Sequence, residues 1–168
     1  MIAVIPALPR WLAAIVLLAA AHVGAWASGR VLFGRWPAPV DAGATLWDGR
    51  RVFGEHKTWR GLLVAELLCA AVAPLVGYGA RLGLQLAALA MGADLATSLI
   101  KRRLNLAPGR EVPGLDQIPE ALVPLLVLAR PLGIGASTAW LLTGVFVVLD
   151  LAVLPLRHRR DTGARKPL

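Results

Sequence analysis

The sequence has a single cysteine, Cys69, so it contains neither a disulfide framework nor a thiolate metal site. It is poor in charge: 17% of its 168 residues are charged against 57% hydrophobic, which excludes an ordinary water-soluble globule. Acidic residues are scarcer than basic ones, 10 against 18, and no Ser-rich or Gly-rich linker or fixed-period repeat divides the chain. What is abundant is uninterrupted apolar sequence.

Apolar runs extend over 11–29, over 61–80 broken by Glu66, and over 82–100 broken by Asp94. Each is long enough to cross about 30 Å of hydrocarbon as a helix. A fourth run, 117–129, is short and carries Pro119, Glu120 and Pro124, and a fifth, 131–156, carries Asp150. The pattern predicts an all-α integral membrane bundle of five transmembrane helices, a single domain over 1–168. Arg10 followed by apolar residues and Ala25-Trp26-Ala27 imitates a secretory signal. Nine mostly apolar residues precede Arg10, however, and the run is long enough to span.

The net charge of +8 would suggest nucleic acid in a soluble protein, but no charge-rich soluble module is present to bind it, so nucleic acid is not expected as a partner. Six basic residues (Arg30, Arg35, Arg50, Arg51, Lys57, Arg60) fall in a loop at about 30–60. Four (Lys101, Arg102, Arg103, Arg110) fall at 101–116, and five (Arg157, Arg159, Arg160, Arg165, Lys166) in a tail at 157–168. With five spans these segments share one side, leaving only Arg10, Arg81 and Arg130 opposite. The positive-inside rule then places the N-terminus outside and the C-terminus in the cytosol. The expected location is the cell inner (plasma) membrane, multi-pass, with the working loops facing the cytosol. Gly77-Tyr78-Gly79 between spans two and three reads as a tight turn and not as a phosphate-binding loop.

Glu66, Asp94, Glu120 and Asp150 all lie within about two helical turns of the cytosolic end of their spans, which predicts a polar cleft opening on that side. For Glu66 and Asp150 the alternative is pairing at the interface with Arg60 and Arg157. On span three Asp94, Ser98 and Lys101 form one helical stripe, followed by Arg102 and Arg103. Carboxylate and hydroxyl suit Mg²⁺, and the adjacent cations call for phosphates to bridge them to the metal. The plainer alternative is a positive-inside stop beside an unrelated buried Asp. Pro113-Gly114-Leu115-Asp116-Gln117 is a turn that delivers Asp116 to the start of span four with Glu120 one helical turn further, either as metal-binding carboxylates or with Asp116 as a simple N-cap. His56, Lys57, Trp59 and Arg60 end the first loop, where cations clamp phosphate and tryptophan anchors at the interface. His22, alone in span one, reads as a packed or hydrogen-bonded histidine, and Cys69 as packing.

The segment Gly92-Ala93-Asp94 through Ser98 to Lys101-Arg102-Arg103 resembles the signature of membrane phosphatidate cytidylyltransferases (CDP-diacylglycerol synthases), a family with much longer chains. The size, the five-span layout, His56-Lys57-Thr58-Trp59-Arg60-Gly61, Lys101-Arg102-Arg103-Leu104 and Leu115-Asp116-Gln117 resemble CDP-archaeol synthases and their bacterial relatives more closely. The resemblance implies a nucleotidyltransferase of phospholipid biosynthesis. CTP and a membrane lipid phosphate would give a CDP-lipid and pyrophosphate, with Mg²⁺ as cofactor. It implies Asp94, Lys101 and Asp116 as catalytic residues, and Asp94, Asp116 and Glu120 as metal ligands. Ser98, Arg102, Arg103, His56, Lys57, Arg60 and Gln117 would bind CTP or the lipid phosphate. The family carries a second Asp three residues after the first; here that position is Pro119, followed by Glu120. Two other function classes compete: a non-catalytic membrane protein that binds anionic lipid, and a small proton-coupled transporter using Asp94, Glu66 and Asp150. Neither the lipid nor the oligomeric state is legible.

Overall fold

The computed structural model describes residues 8–31, 38–107 and 112–163, with side chains described up to 29 in the first of these segments and up to 152 in the last. The described residues are helical, with no strand beyond two isolated bridges in the first loop. Helix α1 runs Arg10–Val31, α2 Trp59–Val72, α3 Ala80–Arg103, α4 Gln117–Val127, α5 Ala129–Leu132 and α6 Ala136–Gly163. α2 passes into one 3-10 turn, Ala73–Val76, where Pro74 supplies no N–H to continue the α-helical ladder. The turn stops at Gly77, whose φ of 88° is open to glycine, and α3 begins after Gly79, so this segment is the expected tight turn.

Among the described residues three helices are long and apolar enough to cross a membrane: Arg10–Gly29, Trp59–Val76 and Ala80–Arg103. The fourth expected span is only the 11-residue α4, about 16 Å long and too short to cross alone. The fifth starts later than expected. Gly133, with φ 67°, ends α5, so Pro131 lies before the break and α6 begins at Ala136, its described apolar part ending at Ala152.

Neighbouring helices pack in sequence, α1 on α2, α2 on α3, α3 on α4 and α4 on α6, and α1 also touches α3 and α6. The seams are lined by small residues, among them Ala13, Ala14, Ala21, Ala65, Ala87, Ala90, Ala121 and Ala139, around Leu17, Leu18, Leu86 and Leu125. Small side chains let helix backbones approach closely, which is how helices associate when lipid is as apolar as the core. A Cβ on Gly24 would stand 2.8 Å from Ala65 Cα, and one on Gly83 2.7 Å from the Cys69 carbonyl carbon. Cys69 itself is fully buried, its thiol donating to the Leu17 carbonyl at 3.2 Å, a packing role as expected. Leu67, Leu75, Leu141 and Val148 point outward, as suits a membrane protein.

The first loop is a folded strap. Val40 N–H donates to Lys57 O and Trp59 N–H to Ala38 O, so 38–40 and 57–59 run antiparallel and bring Lys57 to the start of α2. Within the strap, the buried carboxylate of Asp41 accepts from Gly43, Phe53 and Gly54 N–H at 2.9 to 3.1 Å and pairs with Arg51.

Candidate active site

The strap, the loop before α4 and parts of α1, α2, α3, α4 and α6 enclose a cavity of about 590 Å³. Of the four intramembrane acids read from the sequence, Asp94, Glu120 and Asp150 line it; the half-buried Glu66 does not. Ser98, Lys101, Arg102, Asp116, Gln117, His56, Lys57 and Arg60 also line it.

Two lysine–aspartate pairs bridge separate segments here. Lys57 Nζ from the strap is 2.5 Å from Asp94 Oδ2 on α3, and Lys101 Nζ on α3 is 2.7 Å from Asp116 Oδ1 at the start of α4. Asp116 sits at the N-cap position of α4, but its side chain does not cap that helix; its second oxygen accepts instead from Val112 N–H at 3.1 Å. Gln117 receives Gly114 N–H at 2.9 Å and donates to Asp150 at 3.1 Å, tying the Pro113-Gly114 turn to α6.

Helix periodicity turns Ser98 and Arg102 to the same side as Asp94 and Lys101. The Ser98 hydroxyl is buried with no partner among the described residues. Arg102, also buried, donates Nη2 to the Ala107 carbonyl at 3.0 Å, while its Nε and Nη1 have no such partner. Buried donors without partners are costly, so a cavity lined by them is built to receive acceptor oxygens.

Arg103 is placed differently. It does not line the cavity; it pairs with Asp48 and donates Nη2 to the Arg50 and Arg51 carbonyls, while Arg50 Nη1 donates to the Arg103 carbonyl at 2.8 Å at the exposed end of α3. The two arginines form a reciprocal latch between strap and helix. His56 is mostly exposed at the cavity rim, 3.8 Å from Glu55.

On α1, His22 bridges two acids, Nδ1 to Glu120 at 3.0 Å and Nε2 to Asp150 at 3.1 Å, with Phe146 edge-on to its ring. The hydrogen-bonded reading of His22 holds, and Asp150 is drawn to His22 and Gln117. Arg157, the alternative partner, lies outside the described side chains, as do Arg30, Arg35 and Arg110. Sequence reasoning missed Asp41 and Asp48. The only signal was their place beside Ala42-Gly43 and Gly49, a turn chemistry shared by many inert loops.

A chain with this cavity matches the CarS-like CDP-archaeol synthase family model over residues 7–154. It belongs to the CDP-archaeol synthase family. Among its relatives, CDP-archaeol synthase of Pyrococcus furiosus is 38% identical over 130 residues, 71% of this chain and 73% of that one. The Pyrobaculum arsenaticum CDP-archaeol synthase is 36% identical over 134 residues, 74% of each. A solved structure described as an intramembrane enzyme for archaeal membrane lipid biosynthesis superposes with a TM-score of 0.69 at 33% identity, covering 83% of this chain and 91% of that one.

Proposed function

We propose that this CDP-archaeol synthase family protein transfers CMP from CTP to a membrane lipid phosphate, releasing pyrophosphate and a CDP-activated lipid for phospholipid biosynthesis. The observation that carries the reading is the pairing of Asp94 with Lys57 and Asp116 with Lys101 on one cavity, beside the unpartnered donors of Ser98 and Arg102.

The residue types suit Mg²⁺, while among the described residues no three His, Cys, Asp or Glu side chains are gathered to hold a metal ion. Asp94 and Asp116 offer hard carboxylate oxygens, and the lysines now neutralising them are the groups that triphosphate oxygens would take over. Asp94 and Asp116 would hold the ion; Glu120 lines the same cavity with one oxygen on His22 and is its reserve ligand in place of the acid that Pro119 lacks. Bound there, Mg²⁺ supplies Lewis-acid neutralisation of triphosphate charge.

The chain's own residues do the rest by positioning and charge. Ser98 and Arg102 donate to phosphate oxygens, and Lys101 and Lys57 offset the negative charge that grows as pyrophosphate leaves. An oxygen of the lipid phosphate attacks the α-phosphorus, and the bond from that phosphorus to the bridging oxygen breaks. No general base is required, because a phosphate monoester is already anionic near neutral pH.

The proposed setting is a bundle of five spans, the fourth made by α4 together with α5, N-terminus outside, in the cell inner membrane, with the cavity facing the cytosol where soluble CTP meets the lipid. The distribution of Lys and Arg supports this orientation. To test the reaction, purified protein is given Mg²⁺, CTP labelled at the α-phosphate and a panel of lipid phosphates, beside Asp94→Asn. Label should enter lipid with the wild type only. Equal transfer by Asp94→Asn would sink the site assignment, whereas lipid binding with no transfer by any lipid would favour a non-catalytic lipid-binding protein.

A further inference from the structure

The strap that brings Lys57 to the cavity meets α3 a second time, at its tip. The tip is a tight turn in which Leu46 N–H donates to Arg50 O and Gly49 N–H to Leu46 O, both at 3.0 Å, with Gly49 at φ 71°. It is pinned to the last residue of α3: Arg103 Nη2 donates to the Arg50 and Arg51 carbonyls at 3.1 and 2.7 Å, and Arg50 Nη1 donates back to the Arg103 carbonyl at 2.8 Å. At about 100° per residue, Arg103 is turned about 140° to 180° from Asp94, Ser98 and Lys101 on the cavity face, but only about 60° from Ile100. Ile100 belongs to a row at four-residue spacing, Leu84, Ala88, Gly92, Ala96, Ile100 and Leu104, that is exposed along α3 as far as its C-cap. On a spanning helix an exposed apolar row faces lipid.

The depth of the tip follows from the same helix. Arg81 and Lys101 are separated by about 30 Å of α3, the thickness of the hydrocarbon, so Arg103 and the turn pinned to it stand just beyond, at headgroup depth. Trp47 lies in that turn and is 89% exposed. We propose that the strap tip is a membrane anchor, with the Trp47 indole seated among the headgroups of the leaflet around the C-terminal end of α3. The exposed row of α3 leads to the tip, so the bilayer that meets Ile100 and Leu104 is the surface next to Trp47. An indole suits that level, its body apolar and its N–H able to bond water or phosphate. Asp48, beside Trp47, is paired with Arg103 and brings no bare negative charge to the phosphates. The strap is thereby held on two sides of α3, by Lys57 on the cavity face and by Trp47 in the bilayer, which steadies the segment that contributes Phe53, Gly54 and His56 to the cavity wall.

The test uses the full chain in phosphatidylcholine nanodiscs, without CTP or Mg²⁺, and so is indifferent to the transfer reaction. Emission from Trp47 is taken as the difference between the wild type and Trp47→Phe, a change at a side chain so exposed that little packing is lost. Phosphatidylcholine brominated near the headgroup end of its chains should quench that difference at least about twofold more than phosphatidylcholine brominated near the chain methyls. Aqueous acrylamide should quench it less than it quenches free tryptophan. Trp47→Ser should keep the melting temperature and raise protease cleavage within 38–58 at least about threefold, because the strap has lost its hold on the bilayer. Full quenching by acrylamide with no effect of bromine would place Trp47 in water and overturn the anchor. Protection from both quenchers would place it against protein, a second copy of this chain included, and would overturn it equally. Stronger quenching by the deep bromines would overturn the headgroup placement, and unchanged cleavage of Trp47→Ser would overturn the steadying of the strap.

Discussion

Lys57 Nζ lies 2.5 Å from Asp94 Oδ2, and this contact joins the strap after α1 to the first residue of the α3 stripe. The pair neutralises both groups. Lys57→Met should therefore leave the fold intact while lowering kcat/KM for CTP by about tenfold to a hundredfold. Labelled-CMP transfer measures it, and an unchanged value would remove Lys57 from the machinery.

The second pair allows stability and function to be separated. Lys101 and Asp116 are both largely buried, so Lys101→Met strands a carboxylate and should cost about 3 kcal/mol. Adding Asp116→Asn should recover most of that loss in thermal unfolding while transfer remains absent. Recovery of activity in the double variant would mean that the pair is structural only.

Arg103, expected at the substrate, latches the strap to the end of α3 through Asp48 and the Arg50 and Arg51 carbonyls. Arg103→Gln and Asp48→Asn should each raise KM for CTP several-fold by loosening the strap that carries Lys57. The double variant should be no worse than either single one. Additive effects would instead indicate independent roles.

Acid should loosen the strap at Asp41. Burial pushes its carboxyl pKa up, but Arg51 and the N–H groups of Gly54, Gly43 and Phe53 outweigh this and hold it well below the usual carboxylate range. A depressed folded pKa contributes stability that is full above the unfolded value of about 3.9 and is lost as pH falls through the folded value. Protease cleavage within 38–58 should rise as pH drops below about 4 in the wild type. Asp41→Asn should be cleaved readily already at neutral pH, with little further change in acid.

Gly83 faces the Cys69 carbonyl too closely for any side chain. Gly83→Ala should push α2 from α3 and destabilise the protein by about 1 to 3 kcal/mol, read as a lower melting temperature in detergent. Gly92, which has open space around it, should tolerate alanine.

The linear order of residues already contained the helices, because apolar length and the turn residues Gly77, Gly79 and Gly114 are local properties. It also contained the α3 stripe: Asp94, Ser98 and Lys101 share a face by helical period alone, and all three line the cavity. Less was legible for α4 to α6, where Pro124 lies within a helix of 11 residues and Gly133 breaks the chain at a point that hydropathy averages over.

Partnership was decided by the tertiary structure. Nothing in the spacing of His22, Glu120 and Asp150, each on a different helix, says that one imidazole holds both acids. Nor does sequence divide these five basic residues into roles, with Arg60 and Lys57 in the cavity and Arg50, Arg51 and Arg103 spent on the strap. Composition and period determine which residues lie on a face and at what depth, because both follow from the backbone repeat. Which charge meets which depends on distances across segments up to 128 residues apart, and only the packed bundle sets those.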